Sequence, residues 1–349
     1  MRWYLVFCLT CVALLMCLGI GMVSPAPAPK AITLKWADFS PENTSRTEAV
    51  KWLGTEITKR TGGEIKFEYY WSEALVKSRD IPEALRDGLV NAGVVFPPYY
   101  PSKFPLASAG TLLMQAKNLA ITPAVVTELL TTYGPVKAEM DKWNLKVLYC
   151  SPASAPTTFS NRPIKSLADF KGLKIRALGF NGLVYKPVGA TTVNIPLAEM
   201  YEALQRGTVD GEQCGLHVWW GYGHQEVAKY WLSDELGQLG ATMHCVSNDL
   251  WNKLTPQQQK IFDEVSQEAY KRVLAAVQKE EQDIYKEAKK LGVTIHSLSG
   301  DEHQRWIKLI GTTVSDAWLH GLPKNEQARG ADVLKYFRGL LKKRDILIE

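Results

Sequence analysis

Residues Pro163–Asp210 read PIKSLADFKGLKIRALGFNGLVYKPVGATTVNIPLAEMYEALQRGTVD. Within LKIRA, Leu173, Ile175 and Ala177 alternate with Lys174 and Arg176, the period of a strand with one buried face. Arg176 therefore points away from that core. Gly172 precedes the strand and Gly179 and Gly182 follow it, which puts Arg176 at the carboxyl end, where open α/β sheets place their ligands. Downstream, Leu197, Met200, Tyr201 and Leu204 share one helical face, with Pro196 near its start and Gly207 as its cap. The spacing predicts strand, helix, loop, helix, then a strand beginning near Thr208. A guanidinium donates two parallel hydrogen bonds to a carboxylate and stays charged at any relevant pH. Position alone equally allows a solvated arginine paired with a nearby acid, a contact of small energy.

The flanking sequence alternates strand and helix patterns, which predicts α/β lobes. AITLKWADF reads as a strand, Asn43 to Thr61 as a helix ended by Gly62 and Gly63, Glu64 to Trp71 as a strand, Asp80 to Gly88 as a helix, Ala92 to Phe96 as a strand and NLKVLYC as another. From Thr255, with Pro256 at a favourable first helical position, helical spacing runs to Leu291 before Gly292. About 36 residues at 1.5 Å each make roughly 54 Å, too long for one small lobe. A chain of 349 residues is also more than one ordinary domain. Composition is ordinary for a globular protein, with 46% hydrophobic and 22% charged residues. The net charge of +5 is mild and scattered apart from Lys342, Lys343 and Arg344, which argues against nucleic acid.

SLADFKGLKIRA followed by VGATTVNIPLAEMYEALQRGTVDG closely resembles the solute-binding proteins of TRAP transporters, the DctP-type extracytoplasmic solute receptors (family 7). NDLWNKLTPQQQK, Asn248 to Lys260, resembles the start of that family's long helix. The resemblance extends over nearly all of the chain beyond its N-terminal segment. It implies a two-lobed periplasmic-binding-protein-like α/β fold with hinge crossings and a long lobe-spanning helix. It also implies capture of a small organic acid by hinge closure, with Arg176 on the ligand carboxylate, and delivery to TRAP membrane permease subunits. Crossings are expected near Ser151 to Pro156, around Asp234 to Met243 and within the long helix. One lobe then comprises residues 31–153 plus 241–280, the other 154–240 plus 281–349, in a monomer with no cofactor and no enzymatic activity. A ligand-sensing subunit, or a binder serving another transporter type, would use the same fold.

The resemblance also places Gln213 and Cys214 at cleft-facing positions. Some sialic-acid and dicarboxylate binders carry asparagine where this chain has Cys214, and a second arginine where it has Pro156. Relatives that bind 2-oxo acids with a metal ion carry Glu and Trp at positions 213 and 214. The departures point away from a doubly anionic ligand and from a metal, and leave Arg176 to recognise charge alone. Aromatic residues near strand ends, among them Trp36, Phe39, Trp71, Phe96 and Trp219, are the remaining candidates for contact. Together they favour a monocarboxylate with an apolar or aromatic body, although each taken singly also fits core packing. Cys214 and His217, with His224 and His244 elsewhere, raise a nucleophile or zinc site, but the spacing matches no paired Cys or His zinc pattern. No G-x-S-x-G, H-E-x-x-H or phosphate-cradling glycine loop occurs.

The N-terminus supplies the compartment. Arg2 precedes an apolar run, Trp3 to Val23, and then comes SPAPAPKA, so residues 1–28 read as a signal peptide directing the protein to the periplasm. An uncleaved anchor is the alternative, since the run could span a bilayer. Met16 before Cys17 argues against a lipoprotein site. Cys150, Cys214 and Cys245 remain beyond this segment, an odd number, so no disulfide framework is expected.

Overall fold

A computed structural model describes residues 31–117, 120–237 and 242–348. The expected signal peptide, residues 1–28, lies outside the described residues, as does part of the second expected crossing. Strands β1 (Ile32–Ala37), β2 (Ile65–Tyr70), β3 (Ala92–Val95), β4 (Leu145–Ser151) and β10 (Thr242–Ser247) form one sheet, in the order β2-β1-β3-β10-β4. Strands β5 (Pro156–Ser160), β6 (Lys174–Arg176), β7 (Thr191–Val193), β8 (Gly211–Gly215), β9 (Tyr230–Leu232) and β11 (Thr294–His296) form the second, in the order β11-β9-β5-β8-β6-β7. Each sheet is the centre of one lobe.

Each sheet takes one strand directly from a chain crossing, and in each case that strand runs antiparallel to both neighbours. After β4 the chain leaves the first sheet and enters the second as β5, between β8 and β9. After β9 it returns as β10, between β3 and β4. The other pairings are parallel, as expected where helices cover the sheet faces. Gly93 permits the close approach of β3 to β1, because a Cβ there would lie 2.7 Å from the Ala37 carbonyl oxygen.

The long helix, Pro256–Lys290, begins with a reciprocal capping box between Thr255 and Gln258 and carries proline in its first turn. Its buried row, Phe262, Val265, Ala269, Val273 and Val277, lies in the part of the helix that packs on the first lobe, whose contacts are the helix Ser45–Arg60 and β4. Ile284 and Ala288 join a second cluster around Phe159, Trp219 and Trp231. The helix therefore passes from one lobe to the other between Val277 and Ile284.

Two features depart from the sequence expectation. The stretch after Arg176 was expected as helix and loop, yet Thr191–Val193 adds edge strand β7 beside β6, where β-branched residues suit a pleated surface. Residues 281–349 were expected wholly in the second lobe, but the helix Gln327–Lys343 returns to the first. It buries Val333, Leu334, Phe337 and Leu341 there. Tyr336 stacks on Tyr133 at 4.3 Å, Arg344 pairs with Glu128, and Lys117 and Ile348 donate backbone hydrogen bonds across the same junction. Sequence periodicity shows that this helix has an apolar face but not which lobe covers it.

Candidate functional site

Arg176 ends β6, whose neighbours are β7 and β8. Ile175 packs into the lobe core, as the alternation requires. Arg176, on the other face, is also only 1% exposed. The opposing lobe covers it, an interaction that local alternation does not encode. Its Nε donates to the Ile195 carbonyl at 2.9 Å and its Nη1 to the Gln213 carbonyl at 3.3 Å. The third group, Nη2, is buried with no hydrogen-bond partner. Among the described residues no carboxylate lies within ion-pair distance of this guanidinium. Glu212 is its register partner on β8, yet Glu212 Oε1 is held at 2.6 Å by His224 Nδ1, both side chains being fully buried. Burying an unpaired cation is costly, and two neutral carbonyls offset only part of that cost.

The space in front of Arg176 is a cavity of about 70 Å³ lined from both lobes. The second lobe contributes Pro156, Leu178, Leu197, Cys214 and His217, and the first contributes Phe39, Arg46, Phe96 and Thr242. Phe39 and Phe96 are fixed by Tyr99, at ring distances of 5.6 and 5.3 Å. Two hydrogen bonds close the rim across the lobes, Leu197 N to Tyr99 Oη at 3.5 Å and Tyr222 Oη to the Phe39 carbonyl at 3.4 Å.

Arg46 is the cation that the sequence did not reveal. It stands in the first turn of the helix Ser45–Arg60, where a positive charge opposes the helix dipole. That unfavourable location was the available sequence signal. Its Nη2 pairs with Asp38 Oδ1 at 3.0 Å, Nη1 donates to Thr242 Oγ1 at 3.3 Å, and its guanidinium lies over Phe39 at 5.0 Å. Burial pushes the Asp38 carboxyl above its usual range, while Arg46 and the Ser40 amide pull it back. Arg176 is thus not the one charged group in the cavity, since a second guanidinium shares it, paired with its own acid.

Of the other expected contacts, Phe39, Phe96 and Cys214 line the cavity. Gln213 reaches Arg176 through its backbone carbonyl. Three tryptophans are not brought to it. Trp36 is sealed in the first core beside His244, Trp71 stacks on Tyr69 at 5.1 Å, and Trp219 stacks on Phe159 at 4.5 Å while donating to the Ala228 carbonyl. Large aromatics at strand ends bury most area by joining the lobe core, and here that preference prevails.

His217 was weighed only as an enzymatic group, and its surroundings are those of a fixed neutral ring. The Ser154 amide donates to its Nδ1 at 3.1 Å, with Ser154 Oγ at 2.8 Å from the same atom. Burial and Arg46 depress its pKa to about 4. The Cys214 thiol is held well above its ordinary range by burial and by Glu212, so it offers no thiolate. Among the described residues no cluster of three His, Cys, Asp or Glu side chains could hold a metal ion.

The model of the bacterial extracellular solute-binding proteins, family 7, matches residues 36–324. The chain belongs to this family. Its members are solute-binding proteins rather than enzymes. A solute-binding protein of Albidiferax ferrireducens is 25% identical over 306 residues, 84% of this chain and 85% of that protein. The 2,3-diketo-L-gulonate-binding periplasmic protein of Escherichia coli is 24% identical, covering 87% and 91% respectively. Among solved structures, a TRAP periplasmic solute-binding protein from Desulfovibrio salexigens with bound orotic acid superposes with a TM-score of 0.78 at 22% identity, over 89% of this chain and 99% of that one. One from Rhodoferax ferrireducens with copurified benzoate gives 0.78 at 22% identity, over 90% and 99%. The two-lobed fold is therefore that of the TRAP solute-binding proteins. Among the described residues no helix is long and apolar enough to cross a membrane.

Proposed function

We propose that this chain is the periplasmic solute-binding protein of a TRAP transporter, capturing a small organic acid and delivering it to membrane permease subunits. The observation that carries this reading is Arg176: a buried guanidinium with an unpartnered Nη2, no carboxylate within ion-pair distance among the described residues, and a cavity in front of it. A ligand carboxylate supplies the missing negative charge and accepts from Nη2. The named ligands of the relatives, orotate, benzoate and diketogulonate, are all carboxylates, which supports the same assignment.

Closure on the acid follows from the size of the site. About 70 Å³ is room for roughly two waters, so a ring-bearing acid enters only when the lobes part. Residues 31–153 with 241–280 would move against 154–240 with 281–326, the final helix remaining with the first lobe. Several connections allow bending while preventing drift. Closing excludes water, lowers the local dielectric and strengthens the ion pair. Phe39 and Phe96 then pack against the body of the acid, and the protein acts as a monomer.

The experiment is calorimetric titration of the protein with organic acids chosen by a thermal-shift screen, repeated on Arg176→Lys. Lysine keeps the charge but loses the planar fork, so affinity should fall strongly. Unchanged affinity would rule out the clamp.

A further inference from the structure

The first-lobe wall holds a cluster of buried polar groups that the carboxylate clamp does not use. Trp36, Asp38, Tyr149 and His244 are each at most 4% exposed, and they gather behind Arg46 and Thr242, which line the cavity. His244 lies flat on Tyr149 at 4.3 Å with ring planes 2° apart, and it faces Trp36 at 5.9 Å. Four polar atoms of this one cluster have no hydrogen-bond partner, Arg46 Nε, Tyr149 Oη and both ring nitrogens of His244, while the Trp36 indole and the Asp38 carboxylate serve one another. Buried polar atoms are ordinarily paired, and stray exceptions scatter over a fold. Here they form two groups, this one on the first lobe and another on the second around Arg176, Glu212, Gln213 and His224.

The composition of the cluster selects its ligand chemistry. Arg46 Nε only donates, and Tyr149 and a neutral imidazole both donate and accept. Burial and Arg46 hold His244 well below its ordinary pKa, and Arg46 is neutralised by Asp38, so the wall carries no net charge. A second carboxylate on the ligand would meet Asp38, an ammonium would meet Arg46, and a hydrocarbon would leave these four atoms unmatched.

We propose that this wall is a neutral polar subsite, and that the solute carries hydroxyl, carbonyl or ring N–H groups at the end opposite its carboxylate. The inference rests on the Arg176 reading and narrows it. It replaces the wholly apolar or aromatic body expected from the sequence with an acid polar at both ends and charged at one.

The test is calorimetry on the purified protein with benzoate as the unsubstituted acid and orotate, D-galacturonate and 2,3-diketo-L-gulonate as polar ones. At least one polar acid should bind about 100-fold more tightly than benzoate, since sites built to hydrogen-bond a group reject analogues lacking it. Tyr149→Phe keeps the ring stack and removes one polar atom. It should cost that polar acid about 10-fold and leave benzoate unchanged, whereas a merely structural loss would weaken both alike. Benzoate binding as tightly as the polar acids with dependence on Arg176, or a crystal structure showing only ordered waters in the cluster, would overturn the subsite and spare the clamp. Indifference to Arg176→Lys, or failure of every acid to bind, would overturn both.

Discussion

The two walls of the cleft each present one arginine, and the two arginines are in opposite electrostatic states. Arg46 on the first lobe is paired with Asp38 and anchored to Thr242. Arg176 on the second lobe is more deeply buried and is answered by two carbonyl oxygens and the Tyr99 hydroxyl, with no carboxylate in ion-pair contact among the described residues. What sets Arg176, the proposed binding residue, apart from Arg46 is thus not residue type or burial but uncompensated charge. The contrast extends to the neighbouring acids. Asp38 is spent on the first-lobe arginine, while Glu212, adjacent to Arg176 in the sheet, is spent on His224.

If the contrast is correct, Arg176→Ala should have the largest effect of all. Loss of one partner of a buried charge pair costs about 2 to 5 kcal/mol, or about 30-fold to several thousand-fold in affinity. Calorimetry should show that loss, while urea unfolding of the ligand-free protein changes by only about 1 kcal/mol. Asp38→Asn should behave in the opposite way, costing stability more than affinity. About 2 kcal/mol is expected, less than the 3 to 5 of a fully sealed pair, because the Arg46 side chain is 15% exposed. By freeing a second cation, this variant should also admit dicarboxylates that the unaltered protein refuses, which a binding screen would detect.

The third prediction concerns pH. The folded-state pKa of His217, about 4, lies below the ordinary imidazole value of 6.5. The unfolded chain then binds the proton first, so this contribution to stability is complete above about pH 6.5 and is lost as pH falls towards 4. Denaturant titrations at pH 7 and pH 4.5 should show the loss, and His217→Gln should reduce it. Arg46→Met should raise the His217 pKa, read by NMR, because Arg46 is one of its two causes. A His217 pKa unmoved by that substitution would mean that the walls do not sense one another. The smallest effect is expected from Ser154→Ala, which removes the hydroxyl beside His217 Nδ1 but leaves the backbone donor. About 1 kcal/mol or less of stability should be lost.

Legibility in the sequence followed the range of the interaction responsible. The alternation of LKIRA, Pro256 in the first turn of the long helix and that helix's apolar spacing are local, and each produced the element expected. Arg176 stood out because the motif around it is contiguous. Arg46 and Asp38 meet the site only through tertiary folding, and nothing near NTSRTE reports that Thr242 will lie beside it. Trp36, Trp71 and Trp219 misled because position at a strand end does not say whether a ring faces the lobe core or the opposite lobe. The final helix was misassigned for the same reason: its apolar face is local information and its partner is not.

The exchange of strands between the lobes also orders events in time. β10 occupies the gap between β3 and β4, so the first sheet lacks an interior strand until residues 242–247 are available. A chain emerging from its N-terminus exposes β1 through β4 long before that strand arrives, and pairings so distant in sequence form slowly. Neither half of the polypeptide contains a complete lobe. Cutting the chain between Ser151 and Pro156 should therefore yield two fragments that remain unfolded apart and assemble only when mixed.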